Sequence, residues 1–471
     1  MPQNRQFRGL MPYIFLVFAG IVAGYGVVFA ANPVAQARGD SRTQELVCMM
    51  LTGLLGFAYW LWRRRAVRAH RLGSGLDWMV LLPPSYALFQ AVALPLSAIR
   101  VLSPARARLV DALGAVMAPP RWAPLSVTPA ATMFHCLLFA TCVVFFLIIY
   151  DLAAKLAGRV WLIVLPLVIF AAAEAALGLA QMSANPEGVA TGTYGIRNHY
   201  AGLLEMVLPF AVLYPIAVFG RARSRERGEV RPYLLACSGW GIAAVIMAGV
   251  LVSLSRMGFL SMLMSMVFIA LVALLRRHAW RRNAFVLGAI SAGALAVVVL
   301  LPPVRLILRF EDMDKGSSES REVVWRASLP LVAEYPLFGC GLGGYGSAFP
   351  AFKTSGPTLI QDYAHNDYVQ YAAELGIVGF TAFAMPIAII LSRLRRAWQD
   401  SPQDIRWLAL ACAGSAMAIG LHSFADFNLY VPANMITFAW VLGVAAHAGH
   451  PRARCELLVP EDDGLRAGSN Q

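Results

Sequence analysis

The chain has 471 residues, 59% of them hydrophobic and only 14% charged, with a mean hydropathy of +0.62. Soluble domains carry about 25% charged residues, so this composition excludes a soluble globular enzyme and requires a polytopic membrane protein. The net charge of +13 would suit a nucleic-acid partner only on a soluble basic domain, and the sequence has none.

Apolar runs of roughly 17–25 residues can cross a bilayer as helices. In chain order they cover 11–30, 45–62, 78–97, 129–150, 160–181, 200–220, 233–255, 257–275, 284–303, 373–392, 406–424 and 430–447. They predict an all-α fold of about twelve transmembrane helices, a single polytopic membrane domain over 1–471. The first run is nearly a full span and further spans follow it, so it reads as a membrane helix rather than a cleavable signal. Lys and Arg crowd alternate connections, among them "RRRAVRAHR", "RARSRERGEVR" and "RLRRAWQDSPQDIR". The positive-inside rule puts these connections, both termini and a tail over 448–471 in the cytoplasm. The seven cysteines are scattered, with no metal-ligand spacing and no second thiol to partner Cys340 in its outside segment.

The outside connections hold the candidate chemistry. The first long one, 98–128 with "SPARARLVDALGAVMAPPRW", reads either as an interfacial helix or as a surface loop. "TGTYGIRNHYAG" (Thr191–Gly202) then joins the fifth and sixth spans and carries Arg197, Asn198 and His199. "SLSRMGFLSM" joins the seventh and eighth spans and puts Arg256 at the outer interface. An arginine snorkelling at the rim is the ordinary reading, yet the short outside connections are otherwise poor in arginine. Guanidinium groups bind phosphate in a bidentate manner, and two of them suit a diphosphate.

Residues 304–370 form a large outside segment between the ninth and tenth spans. Within it, Ser320 is positioned to cap a short helix from Arg321, and Pro330 is expected to kink or end that helix. Val323, Val324, Trp325 and Leu331 give it an apolar side suited to rest on the bilayer. "GCGLGGYG" matches G-x-G-x-x-G by letter through Gly339, Gly341 and Gly344, but no βαβ unit surrounds it, so it reads as a flexible turn. In "QDYAHNDYVQYAAELGIVGF" (Gln361–Phe380), Asp367 and Gln370 fit a capping pair, with His365 just before the helix start. A neutral imidazole there can accept a proton as a general base; an ordinary loop histidine is the alternative. Glu174 and Glu205 are the few acidic residues within spans. Nucleotide sugars are cytoplasmic, so a glycosyl donor used outside must be tethered to a lipid.

The stretches "GTYGIRNHYAG", "SLSRMGFLS", "SREVVWRASLPLVAEYPLFGCGLGGYG", "AHNDYVQYAAELGIVGF" and "HSFADFNLYVPAN" together resemble the O-antigen ligase and polymerase superfamily of bacterial envelope glycosyltransferases. The likeness runs over about 160–445, with the motifs in the family's order and spacing. It implies an all-helical inner-membrane protein with a periplasmic helical segment and an active site facing the periplasm. It also implies inverting, metal-independent transfer without a cofactor. By this resemblance Arg197 and Arg256 hold the undecaprenyl diphosphate of the donor glycan, and His365 is the base toward the acceptor. Tyr363, Asn366 and Asp367 complete the histidine motif. Arg321 is either a phosphate or sugar contact or a structural ion pair, and Asn198 and His199 adjoin the donor or cap the turn. His422 and Asp426 support the site from the last outside turn. The family often has Ser-Arg-Gly-Gly where this chain has Ser255-Arg256-Met257-Gly258. The expected partners are the lipid-linked donor, membrane lipid, and a lipid A–core sugar for a ligase. For a polymerase the acceptor is another lipid-linked repeat, and for a protein O-glycosyl ligase a protein hydroxyl. A transporter of lipid-linked sugars would leave the His365 motif without a role.

Overall fold

The computed structural model describes residues 3–26, 41–64, 76–118, 120–224, 231–275, 304, 308, 321–353 and 362–450. In chain order the helices are α1 (Gln3–Tyr25), α2 (Ser41–Arg63), α3 (Leu76–Met79) and α4 (Leu82–Ala91), followed by α5 (Leu96–Leu102) and α6 (Pro104–Leu113). Next come α7 (Pro129–Lys155), α8 (Leu165–Ala184), α9 (Arg197–Ser224), α10 (Arg231–Val252) and α11 (Arg256–Leu274). The last five are α12 (Arg321–Glu334), α13 (Tyr345–Ala348), α14 (Asp367–Asp400), α15 (Gln403–His422) and α16 (Pro432–Ala448). A 3-10 turn, Ala157–Val164, joins α7 to α8. Strands β1 (Ala93–Pro95) and β2 (Trp122–Pro124) form an antiparallel pair in which Ala93 faces Pro124.

Among the described residues eight helices are long and apolar enough to cross a membrane, against the twelve spans expected. The first expected run is a shorter apolar helix, Leu10–Tyr25, and the last is the 17-residue α16, buried along nearly its whole length. The run 284–303, together with Ser320 and the tail beyond 450, lies outside the described residues. The run 78–97 is not one helix. It divides into α3 and α4 and then turns into β1. Pro83 and Pro84 stand in the first turn of α4, where a missing N–H is tolerated, but neither can donate to a ladder continued from α3.

Helix α9 is the axis of the bundle. It packs on α8, α10, α11, α15 and α16, and every residue from His199 to Leu213 is buried. A helix apolar on all sides is stable only with neighbours all round, and its sequence has no polar face in this stretch.

A folded layer caps the bundle end where α9 and α11 begin. Connection 98–128 is helical rather than a plain loop: α5 and α6 lie between the paired strands, Arg108 pairs with Glu334 of α12, and Val127 N–H donates to Cys340 O (2.8 Å). Helix α12 differs from expectation too. It continues through Pro330 to Glu334, because Val324 and Leu331 are held in a small core with Ala105, Cys340, Tyr345 and Phe349. Trp325 is tied to the loop before α14, its indole donating to Ala364 O (2.9 Å) and His365 O (3.3 Å).

The glycine-rich turn is pinned against α14. Cys340 N–H donates to Ala373 O (2.9 Å), Gly341 N–H to Glu374 O (3.0 Å), and Gly343 and Tyr345 N–H to the Glu374 carboxylate (2.7 and 3.1 Å). Glu374 also accepts from the Tyr430 hydroxyl. This turn is close backbone packing, which the absence of Cβ allows, rather than a ligand loop. The packing breaks α14 at Gly376, where φ is 60° and ψ −175°. Ile377 and Val378 N–H turn outward to Pro336 O (2.9 Å) and Leu337 O (3.1 Å), while Tyr86 and Gln90 serve the carbonyls of Leu375 (2.7 Å) and Glu374 (2.8 Å). The freed N–H groups of Ile377 and Val378 and carbonyls of Glu374 and Leu375 thus find partners outside the helix.

A Cβ at Gly376 would stand 2.5 Å from the Leu337 carbonyl carbon and 2.6 Å from Gly339 N, in a backbone region open only to glycine. Gly376→Ala should therefore destabilise the protein by about 1–3 kcal/mol, read as a lower unfolding temperature in detergent. An unchanged transition would show that the break tolerates a side chain.

Candidate functional site

Two loops and three helix starts meet at the capped end. Arg197 opens α9 after the turn "TGTYG", in which Gly192 and Gly195 have φ of 55° and 65°. That turn is braced from below. Thr193 N–H donates to Glu174 (2.9 Å), Thr191 and Gly192 N–H donate to Gln181 Oε1 (3.0 and 2.9 Å), and Tyr194 donates to Asn434 (2.9 Å). Glu174, in a span, therefore secures a turn.

Arg256 opens α11, capped by Ser255, whose hydroxyl accepts from Gly258 N–H (3.2 Å). The same hydroxyl donates to Asn198 Oδ1 at 2.9 Å. Asn198 and Ser255 thus bind the starts of α9 and α11 to one another and set Arg197, half-buried, and Arg256, exposed, at neighbouring helix ends. Met257 leaves this arrangement intact.

His365 lies in the loop before α14. Its N-cap is Asn366, whose side chain accepts from Tyr368 and Val369 N–H (3.0 and 3.1 Å). The expected Asp367–Gln370 pair is thereby corrected by one residue. A β-region Asn366 leaves its own carboxamide free to turn back onto the helix, whereas Asp367 points elsewhere. It accepts from the Ser423 hydroxyl (2.7 Å) and Leu429 N–H (3.1 Å), fastening the 423–429 loop to α14. Gln370 accepts from Ala364 N–H (2.9 Å).

Asp426 is the centre of the assembly. Its side chain is 2% exposed. Its Oδ1 lies 3.4 Å from His365 Nδ1 and 3.9 Å from His199 Nε2, and its Oδ2 lies 3.6 Å from Arg321 Nη2. Burial would raise this carboxyl, but the hydrogen bond with His365 and the charges of His199, Arg321 and His422 outweigh it and hold the group well below the usual carboxylate range. The pairing fixes a tautomer: with Nδ1–H directed to the carboxylate, Nε2 of His365 is the nitrogen left to accept a proton. His365 is 38% exposed on its side chain.

Backbone strain coincides with this site. Among the described residues the non-glycine positions of positive φ are His365 (51°) and Leu254 (53°), the latter two residues before Arg256. Such conformations persist where surrounding contacts impose them, and they gather at functional sites.

Two features escaped the sequence reading. Phe427 forms a plate that Tyr363 stacks on at 4.0 Å between centroids, while His199 and His365 meet it edge-on at 4.7 and 4.9 Å. Its adjacency to Asp426 in "ADFN" was the available signal. Glu205 is also not a lone acid: it meets His422 Nδ1 at 2.9 Å, both side chains fully buried. Because these two are 217 positions apart, no local pattern links them.

A carboxylate whose folded pKa lies below its unfolded value stabilises the fold above about pH 4 and loses that contribution as the pH falls through the lowered value. Wild type and Asp426→Asn should accordingly differ in unfolding temperature by a constant amount above about pH 5 and converge on further acidification. A gap that instead widens in acid would mean that Asp426 is not the charged partner of this cluster.

Residues 241–384 of the chain match the family model described as O-antigen ligase. No curated protein matches the chain. The matched stretch contains Arg256, all of α12, the glycine-rich turn, His365 and the start of α14, while Arg197 and Asp426 lie to either side of it. With eight candidate spans among its described residues this is a multi-pass membrane protein, and over residues 241–384, about a third of its length, it is similar to the O-antigen ligase family.

Proposed function

We propose that the chain transfers a glycan from undecaprenyl diphosphate to a lipid A–core sugar at the periplasmic face of the bacterial inner membrane. The observation that carries this reading is the His365–Asp426 contact (3.4 Å), at the same bundle end as the two arginines brought together by the Asn198–Ser255 bond. The positive-inside rule supports a periplasmic placement of that end, since the arginine-rich connections leave the other end.

In the proposed reaction a hydroxyl oxygen of the acceptor attacks the anomeric carbon of the donor sugar from the face opposite the diphosphate. As that bond forms, the bond from the anomeric carbon to the diphosphate oxygen breaks, so configuration inverts. The hydroxyl proton passes to Nε2 of His365, and Asp426 stabilises the imidazolium formed. Arg197 and Arg256 balance the charge gathering on the departing undecaprenyl diphosphate. Arg321 shares Asp426 with His365 (3.6 Å) and is half-exposed, so it both closes the cluster and offers a cationic edge to a phosphate or sugar. His199, 4% exposed, acts behind Phe427 as a support for Asp426. Tyr363 on Phe427 offers an aromatic face for a sugar ring. Asn198, Asn366 and Asp367 hold the loops in place.

Arg197→Ala and Arg256→Ala should each lower transfer by about a hundredfold or more while the protein still inserts in the membrane. Substantial retained activity in either variant would remove the diphosphate-clamp role. His365→Ala should reduce kcat by about 10²–10⁴ and leave donor KM within a few-fold; a pure loss of donor affinity would contradict the base assignment. Chelator treatment should leave the rate unchanged, and inhibition reversed by a divalent ion would refute the metal-free route. In a deletion strain, full-length polymer stranded on the carrier is expected; single repeats attached to the core would identify a polymerase instead.

A further inference from the structure

At the bundle end opposite His365 lies a cavity of about 710 Å³, within the range of about 300–1,000 Å³ typical of small-ligand sites. Trp161 of the 3-10 turn, Val168 of α8, Phe210 and Tyr214 of α9 and Ile242 of α10 form its walls, and Arg159 stands among them as the charged residue. Phe210 follows Arg197 by thirteen residues on one helix, about 20 Å along the axis, so the cavity is remote from the proposed transfer site.

Three polar groups here have no protein partner among the described residues. Arg159 departs from helical geometry (φ −138°, ψ 43°) inside the 3-10 turn, and its exposed guanidinium makes no hydrogen bond or ion pair among the described residues. The Trp161 indole nitrogen is buried without a partner. Tyr214, whose ring meets that of Trp161 at 5.7 Å, has no hydrogen-bond partner among the described residues. A cavity walled largely by aliphatic and aromatic side chains, with a guanidinium at its edge, suits a ligand that has a hydrocarbon chain and an anionic head. The arginine-rich connections on this side place it at the leaflet whose anionic headgroups attract such cations.

We propose that this cavity binds an anionic glycerophospholipid, its phosphate on Arg159 and one acyl chain against Trp161, Phe210 and Tyr214. Guanidinium and phosphate then form a charge-assisted, bidentate pair, and the acyl chain occupies the space that Val168, Phe210 and Ile242 line between α8, α9 and α10. The lipid would brace the lower half of α9 and take no part in the transfer reaction, so this inference stands apart from the proposed activity.

The test is thermal unfolding of the full-length protein in neutral detergent during titration with phosphatidylglycerol or phosphatidylcholine. Phosphatidylglycerol should raise the unfolding temperature by several degrees in a saturable manner, and phosphatidylcholine should not. Arg159→Gln, at an exposed position, should shift the phosphatidylglycerol midpoint at least tenfold. Ser238→Trp, at the exposed lip of the cavity, should abolish the response; if that variant does not fold, Arg159→Gln decides alone. Equal responses to both lipids, or a phosphatidylglycerol response unchanged by Arg159→Gln, would overturn the proposal. So would an Arg159-dependent response to undecaprenyl phosphate with none to phosphatidylglycerol, which would assign the cavity to the carrier lipid.

Discussion

A carboxylate enclosed by protein is tolerable only when cations and hydrogen-bond donors surround it, and Asp426 imposes that requirement on the whole capped end of this molecule. Its neighbours come from the start of α9, the start of α12 and the loop before α14. These are segments far apart in the chain. Meeting the demand of one buried charge draws them to a common point, and the same contact orients the imidazole that the proposed chemistry uses. Stability and positioning therefore share a cause here. The contact also explains why His365 is kept at a φ of 51°: relaxing the backbone would withdraw Nδ1 from the carboxylate.

Around that centre the polar groups form a connected scaffold rather than separate bonds. Asp367 fastens the 423–429 loop, Asn434 reaches the His199 carbonyl (3.0 Å) and Asn428 (3.0 Å), and Tyr371 donates to Leu429 O (2.9 Å). These bonds tie the 423–429 loop to α9, α14 and α16 at several points. Phe427 adds a flat apolar surface in their midst, shared by a tyrosine and two histidines.

Much of this was legible from the chain, for identifiable reasons. Hydropathy marks most of the spans because a bilayer selects for length and apolarity together. Arg197, Arg256 and His365 stood out as polar groups at span ends. Asp426 was visible only through the family resemblance, since nothing local reveals that His199, Arg321 and His365 converge on it. The cap at Asn366 was read one residue late because Asp367 and Asn366 are equally good capping types, and only the pull of Ser423 and Leu429 on Asp367 decides between them. Pro330 suggests a kink or an end by local preference, and the helix nevertheless continues to Glu334 because the tertiary core holding Leu331 outweighs that preference. The partition of 78–97 was hidden for the opposite reason, as its composition suits a span while two adjacent prolines interrupt the ladder.

The interruption of α14 at Gly376 has a mechanical consequence. Above it, a short helical segment carries Asn366 and Asp367 and is bolted to the cap by Glu374, Gln90 and Tyr86. Below it runs the rod that crosses the bilayer. Spans respond to hydrocarbon thickness by changing tilt, and a continuous rod would act as a lever, carrying each change straight to His365. With the ladder severed at one glycine, the top of the lower rod is tied through Ile377 and Val378 to Pro336 and Leu337, so a tilt of that rod bears first on the cap and not on the helical turn that holds the histidine.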